Sequence, residues 1–220
     1  PRPTPAMTPE RRINLAILQP WNMVFAIGFV VYVVTRGKFA SGTKGNESTD
    51  RRVGLQEKIL LPVVISTSLL FPILYLFTPL FSFADYELPD WVHACGLVLM
   101  IVGLWLFWRS HADLGLNWSP TLETRKGHEI VKHGVYRRIR HPMYSAIWLF
   151  SIAQGLLLNN WLAGWAVVFA FAVMYLLRTP QEEKMMIDHF GSAYTDYMSE
   201  TGRLIPRFRQ SEADEPKPVD

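Results

Sequence analysis

Residues 127–144 form a polar, basic and glycine-punctuated stretch between long apolar runs, rich in histidine, arginine and tyrosine. The stretch meets the next apolar run at a proline. Polar groups crowded against a membrane-like run are costly unless they serve a function. Two roles fit these residue types. One is to hold a polar ligand at the mouth of a helix bundle, and the other is to contact anionic lipid headgroups as an interfacial loop.

The end of this stretch predicts an anion-binding helix start. Pro142 suits the first position of a helix, where its missing N–H costs nothing. The next amides, at Met143 and Tyr144, lie at the positive end of the helix dipole, which can receive a carboxylate or phosphate. Gly127 and Gly134 allow the backbone to approach a ligand closely.

A second group of polar residues is expected beside the first. The apolar runs 142–158 and 161–177 are separated only by Asn159 and Asn160, which predicts an antiparallel helical hairpin. Because the two legs have similar lengths, helical rise returns the chain to its starting depth. Arg178, Glu182 and Glu183 should therefore lie next to His141 at one membrane face.

The chain around these residues has the composition of a membrane protein. Half of its 220 residues are hydrophobic, and eight are tryptophans. Besides the two legs of the hairpin, apolar runs cover residues 13–34, 59–83 and 91–108. Apolar positions at three- and four-residue steps in 181–200 indicate an amphipathic helix. The predicted fold is all-α: an integral membrane bundle of about five transmembrane helices with a cytosolic cofactor loop and a C-terminal amphipathic helix.

The basic residues predict the orientation. Of the 22, six follow the first span, seven lie in 109–140 and six follow the fifth span, whereas the connections at 85–90 and 159–160 have none. By the positive-inside rule, the polar stretch is expected to face the cytosol. The membrane is expected to be a bacterial inner membrane or that of the endoplasmic reticulum. Four segments are expected: a flexible leader at 1–12, membrane helices at 13–112, the loop, hairpin and amphipathic helix at 113–208, and a disordered tail at 209–220.

Several classes of site are not predicted. With one cysteine, Cys95, the chain cannot form an internal disulfide. The histidines do not follow HExxH or another metal-ligand spacing, and dinucleotide-type and P-loop glycine patterns are absent. From the histidine spacing we predict no metal. The basic run 137–140 adjoins a membrane span, so we predict no nucleic-acid partner.

The motifs in this half of the chain resemble the isoprenylcysteine carboxyl methyltransferase family. The resemblance covers about residues 121–206, and its motifs occur in order. They are His-Glu-Ile-Val at 128–131, Gly-Val-Tyr at 134–136, Arg-His-Pro-Met-Tyr at 140–144, an arginine followed by acids at 178–183, the segment 190–197 and Ile-Pro at 205–206. Phospholipid N-methyltransferases and membrane sterol reductases share parts of this pattern.

The resemblance implies an enzyme that moves the methyl group of S-adenosylmethionine to a lipophilic acceptor in the bilayer, such as the carboxylate of an isoprenylated cysteine. The alternatives are a methyltransferase for phospholipid amines or another small lipophile, and an NADPH-dependent membrane reductase. By the same resemblance Arg178 meets the acceptor. The expected cofactor-binding residues are Thr121, His128, Glu129, Ile130, Val131, Tyr136, His141, Pro142, Met143, Tyr144 and Glu182.

Overall fold

The computed structural model describes residues 18–42, 48–51, 55–115, 123–125 and 129–207. Its helices, in chain order, are α1 (Pro20–Gly42), α2 (Leu55–Ile65), α3 (Phe71–Phe77), α4 (Asp90–Leu114), α5 (Pro142–Leu157), α6 (Ala166–Phe190) and α7 (Ser192–Glu200). Two strands, β1 (Ser48–Arg51) and β2 (Glu123–Arg125), pair antiparallel. This ribbon was not predicted. It is small beside the helices, and the all-α fold class is confirmed.

The predicted membrane bundle is also confirmed. Within the described part of the chain, four helical segments are long and apolar enough to cross a bilayer: Pro20–Ala40, Lys58–Phe77, Asp90–Leu114 and Trp161–Phe190. The apolar helix α5 is shorter, with 16 residues. Large apolar side chains such as Val30, Ile101 and Phe169 are exposed on these helices, as lipid-facing residues are. The predicted division of the chain into segments stays a prediction.

The first two spans differ in detail from expectation. α1 begins at Pro20, where a proline suits the first position of a helix, and continues to Gly42, while residues 13–17 lie outside the described residues. The second span contains Pro62, Pro72 and Pro79, and its helical pattern is interrupted. A π-helical turn, Ser66–Leu70, separates α2 from α3, and α3 ends before Pro79.

Gln154 of α5 joins two irregular turns inside the bundle. Its Nε2 atom donates to the carbonyl of Thr67 in the π-turn (3.1 Å) and to that of Ala163 (2.7 Å). Ala163 lies in a second π-helical turn, Trp161–Trp165, which leads into α6. A wholly buried glutamine is costly in a bilayer unless it is hydrogen-bonded, and here it binds backbone carbonyls where the helical pattern changes.

The predicted hairpin turn is present and is held by its asparagines. Asn160 caps the turn into α6, because its side-chain oxygen accepts from the amides of Leu162 (3.0 Å) and Ala163 (2.9 Å). Its Nδ2 atom donates to the Phe81 carbonyl at 2.6 Å. The Oδ1 atom of Asn159 accepts a hydrogen bond from His93 Nε2 on α4 at 2.9 Å, which ties the turn to the bundle.

The returning leg is longer than predicted. α6 continues through Pro180 to Phe190 and stops at Gly191, whose φ of 59° ends the helix. The amphipathic helix expected at 181–200 is therefore wrong in its start: the last ten residues of α6 and the separate helix α7 share that range. The side chains of Thr179 and Glu183, on either side of Pro180, are buried against the rest of the protein.

A C-terminal strap, defined as residues 201–207, crosses the start of α5. Gly202 pairs with Ile139 in a parallel bridge, and its amide donates to the Arg138 carbonyl at 3.0 Å. The amides of Arg140 and His141 donate to strap carbonyls at 2.9 and 3.1 Å. The strap thus fixes the backbone immediately before Pro142.

Glu183 connects α6, the start of α5 and the strap. Its side chain is 6% exposed, and its Oε1 atom lies 2.8 Å from Arg140 Nε and 3.2 Å from His141 Nε2. Arg203 of the strap binds both carboxylate oxygens. The hydrogen bonds to Glu183 raise the pKa of the Arg203 guanidinium, so its charge is secure at neutral pH. We call Glu183 with Arg140, His141 and Arg203 the Glu183 cluster.

Replacing Glu183 with alanine is expected to destabilise the protein strongly. It leaves the nearly buried Arg140 without its carboxylate, which costs roughly 3 kcal/mol and lowers the midpoint of thermal unfolding by roughly 6–12 °C. Asp188→Ala is the matched control on the same helix, since Asp188 pairs with Lys184 at the surface and should cost far less. Thermal unfolding in detergent measures both. Equal midpoints for the two variants would contradict a stabilising cluster.

Candidate active site

The start of α5 faces the return of α6 across a short distance. Tyr144 Oη donates to Glu182 Oε2 at 2.5 Å, and Arg178 Nε lies 3.9 Å from the same oxygen. His141 Nδ1 is 3.8 Å from Glu182 Oε1, and the His141 ring stacks on Tyr144 with 5.4 Å between ring centroids. The hairpin therefore brings the two polar groups together, as its short turn predicts.

These side chains line a cavity of about 410 Å³. Of the residues predicted from the sequence, ten border it: Glu129, Ile130, Val131, Tyr136, His141, Pro142, Met143, Tyr144, Arg178 and Glu182. Thr121 and His128 lie outside the described residues. Glu183, expected beside this group, turns away from the cavity into the Glu183 cluster. The neighbouring acids thus have different surroundings, with the Glu182 side chain 30% exposed against 6% for Glu183.

Two tyrosines of α7 complete the polar end of the cavity. Tyr194 and Tyr197 both line it, and Tyr197 Oη donates to the Tyr136 carbonyl at 2.7 Å. Their three- and four-residue spacing with Phe190 indicated a packed helix face in the sequence, but not a ligand site. Burial raises the pKa of Tyr136, Tyr194 and Tyr197, so all three hydroxyls keep their protons at neutral pH. They can donate hydrogen bonds but cannot serve as bases.

Asp113, at the end of α4, holds the loop that carries Tyr136. Its Oδ2 atom accepts from the amide of Val135 at 2.9 Å, and Arg109 pairs with its carboxylate at 2.9 Å. Gly134 has a φ of 57°, and a Cβ atom added there would collide with the Asp113 carboxylate. Glycine is therefore required at 134, because any side chain would displace the loop from its support.

The other end of the cavity is apolar and lies among the membrane spans. α1 contributes Phe29 and Val33, and α2 contributes Leu61, Val64 and Ile65. α1 packs against α4 and α5 while α2 packs against α6, and in the described residues α1 and α2 make few contacts with each other. Val33 and Ile65 are 47% and 49% exposed at this gap. The apolar end therefore reaches the lipid-facing surface between α1 and α2.

The arrangement can bind an amphiphile beside a polar ligand. The polar end offers a helix start, a carboxylate, a guanidinium and protonated phenols, and the apolar end accepts a hydrocarbon chain. Among the described residues, no group of three or more His, Cys, Asp or Glu side chains has the geometry of a metal site. No sequence pattern predicts the contribution of α1 and α2, because an apolar side chain that faces a cavity has the same type as one that faces lipid.

The sequence model of the isoprenylcysteine carboxyl methyltransferase (ICMT) family matches residues 96–188. The protein-S-isoprenylcysteine O-methyltransferase of Tribolium castaneum is 30% identical over 132 residues, 59% of this chain and 47% of that protein. Protein-S-isoprenylcysteine O-methyltransferase A of Arabidopsis thaliana is 27% identical over 152 residues, 67% of this chain and 76% of that protein. The chain thus spans about half the length of some of the curated relatives it matches.

A solved structure is similar over most of the chain. The eukaryotic intramembrane Ras methyltransferase ICMT aligns with 88% of this chain and 70% of its own, with a TM-score of 0.57 and 25% identity. The membrane fold, the order of the motifs and the segment matched by the family model all indicate the same family. The family implies a methyl donor of the S-adenosylmethionine type. Residues 96–188 of this multi-pass membrane protein therefore resemble the isoprenylcysteine carboxyl methyltransferase family in sequence, and most of the chain resembles a member of that family in fold.

Proposed function

We propose that this protein transfers the methyl group of S-adenosylmethionine to the carboxylate of a lipophilic acceptor, with an isoprenylated cysteine as the leading candidate. One observation carries the proposal. A single cavity joins a polar end, bordered by Pro142, Arg178 and Glu182, to an apolar end that reaches the bilayer between α1 and α2. A water-soluble donor and a membrane-dissolved acceptor can therefore meet without either leaving its own phase.

The polar end fits the proposed cofactor. When bound, S-adenosylmethionine supplies an electrophilic methyl group on a sulfonium. The α5 start at Pro142 suits its carboxylate, because the helix dipole and backbone amides favour an anion there. Glu182, oriented by its hydrogen bond from Tyr144, suits the amine or ribose. The main chain of 129–131 would hold the adenine, together with His128, and Thr121 belongs to the proposed binding residues by family resemblance alone.

Arg178 is the proposed acceptor-binding residue. Its side chain is 13% exposed and borders the polar end of the cavity, where a guanidinium can hold a carboxylate in bidentate fashion. A carboxylate is ionised at neutral pH, so the displacement needs no general base. Positioning of the nucleophile then supplies much of the rate acceleration.

The surroundings of His141 favour a carboxylate acceptor over an amine or thiol. Either of the latter would need a base to remove a proton. Both ring nitrogens of His141 face carboxylates, Nε2 towards Glu183 at 3.2 Å and Nδ1 towards Glu182 at 3.8 Å. The imidazole is thus held between two acids, with neither nitrogen directed at an acceptor in the apolar end.

The proposed site faces the cytosol. The polar end of the cavity lies where α5 begins and α6 returns, and the connections on this side of the bundle carry most of the basic residues. The membrane would be a bacterial inner membrane or an endoplasmic reticulum. An acceptor would enter from the leaflet that faces the cytosol, through the gap between α1 and α2.

An acceptor panel tests the function. The purified protein in nanodiscs is given S-adenosylmethionine with a radiolabelled methyl group and a farnesylated cysteine, its methyl ester, phosphatidylethanolamine or a hydrophobic thiol. Label should enter the free carboxylate and not the ester. In a parallel thermal-shift assay, S-adenosylhomocysteine should stabilise the protein and NADPH should not. Label only in the phospholipid amine, or stabilisation by NADPH alone, would establish one of the rival functions.

Two substitutions should separate acceptor chemistry from cofactor binding. Arg178→Ala should lower kcat by about 10- to 100-fold, the worth of one or two charge-assisted hydrogen bonds, with little change in cofactor affinity. Arg178→Lys should retain part of the activity.

Glu182→Ala should weaken S-adenosylhomocysteine binding in calorimetry by about tenfold, whereas Glu87→Ala, at an exposed residue of the opposite connection, should not. Unchanged affinity in Glu182→Ala would remove Glu182 from the cofactor site.

A further inference from the structure

One face of α1 borders the cavity with an apolar stripe that ends in a cation. Phe29, Tyr32, Val33 and Arg36 all line the cavity and follow helical spacing of three, four and seven residues. Arg36 is half-buried, and its guanidinium is hydrogen-bonded with the Tyr32 side chain. That contact directs the Arg36 side chain along the same face as the aromatic residue one turn before it.

α6 presents the same order of residue types on another wall. Phe171, Met174 and Arg178 line the cavity, and the arginine again follows the aromatic residue by seven positions. Seven residues are about two turns, or roughly 10 Å of helix. Both helices therefore carry an arginine whose Cα atom lies about 10 Å along the helix axis from that of an aromatic residue on the cavity wall.

The two helices run in the same direction on either side of α5. Trp21 near the start of α1 stacks on His93 near the start of α4, and Phe39 near its end contacts His111. α1 is therefore parallel to α4. α5 is antiparallel to α4, because Gly96 lies against Leu157 and Gly103 against Ala146. α6 reverses α5 through the hairpin, so both guanidiniums lie towards the polar end of the cavity.

From this arrangement we infer that Arg36 is a second anion-binding residue of the acceptor site. The acceptor it fits is an amphiphile with an apolar chain and an anionic head, bracketed by Arg36 from α1 and Arg178 from α6. The chain would lie along Phe29, Val33 and Phe171. The inference rests on the proposed function for its acceptor class, and it assigns the choice of a charged head to a residue outside the matched segment 96–188.

The remaining arginine of the cavity is committed elsewhere. Arg140 Nε binds Glu183 at 2.8 Å and its Nη1 donates to the Thr201 carbonyl at 2.8 Å, so its charge serves the Glu183 cluster. Two other roles for Arg36 are alternatives to binding the acceptor. In the first it serves only to support Tyr32, and in the second its side chain extends to lipid headgroups, as arginines near helix ends do. Neither of these roles distinguishes a charged ligand from its neutral isostere.

The test compares a charged ligand with a neutral one of the same shape. S-farnesyl thioacetic acid and its primary amide are titrated into the full-length protein in phosphatidylcholine nanodiscs, and binding is measured by thermal shift. The wild type should prefer the acid. Arg36→Gln should reduce the acid-to-amide ratio of affinities by roughly tenfold, Arg36→Lys should keep most of it, and Lys38→Gln, an exposed change on the same helix, should leave it unaltered.

Because each ratio is taken within one variant, any loss of stability cancels, and because the ratios are then compared between variants, the different bilayer partitioning of the two probes cancels as well. A ratio in Arg36→Gln equal to that of the wild type would overturn the inference, even if methyl transfer is observed. If Arg36→Gln does not fold, Arg36→Met decides: a ratio about tenfold below that of Lys38→Gln supports the inference, and a ratio equal to that of Lys38→Gln overturns it. Absence of methyl transfer by the wild type would instead refute the proposed function and leave the binding ratio as an independent result.

Discussion

Glu183 accepts hydrogen bonds from three side chains, which come from two different parts of the chain. Arg140 and His141 belong to the approach to α5, while Arg203 belongs to the strap. A buried carboxylate in such a position is tolerated only while its partners surround it. The place of Pro142, and with it the polar end of the cavity, therefore depends on one ion-pair cluster at the membrane boundary. Neither the hairpin nor the strap alone would define that place.

Adjacent acids perform separate tasks because a helix turns by about 100° per residue. Glu182 faces the cavity beside Tyr144 and Arg178, whereas Glu183 faces α5 and the strap. The same rotation places Arg178 on the cavity wall and the buried Thr179 on the packed side. α6 thus carries binding groups on one face and the groups that fix its position on another. Because α6 continues past Pro180, it carries both Glu182 and Glu183 on the same helix as its apolar, membrane-spanning part.

The sequence predicted those features that depend on short-range constraints. A two-residue turn between legs of equal length required Arg178 and Glu182 to return beside His141, and they do. The separation of Glu182 from Glu183 depends on helix phase near a proline, which the pattern did not determine. The π-turn at Ser66–Leu70 and its contact with Gln154 join residues 87 positions apart. Phe29 and Arg36 join the site only through packing of α1 on α4 and α5, which no local pattern encodes.

The strap has a consequence for biosynthesis. The spans leave the ribosome in order, and α6 has been translated before residues 201–207 exist. The amides of Arg140 and His141 find their partners only when those last residues arrive, some sixty positions later in the chain. A nascent chain can therefore close its hairpin before the backbone at the polar end of the cavity has all of its partners. A chain that stops at Glu200 would contain the four apolar helical segments that the structure describes, but it would lack the carbonyls that hold the amides of Arg140 and His141.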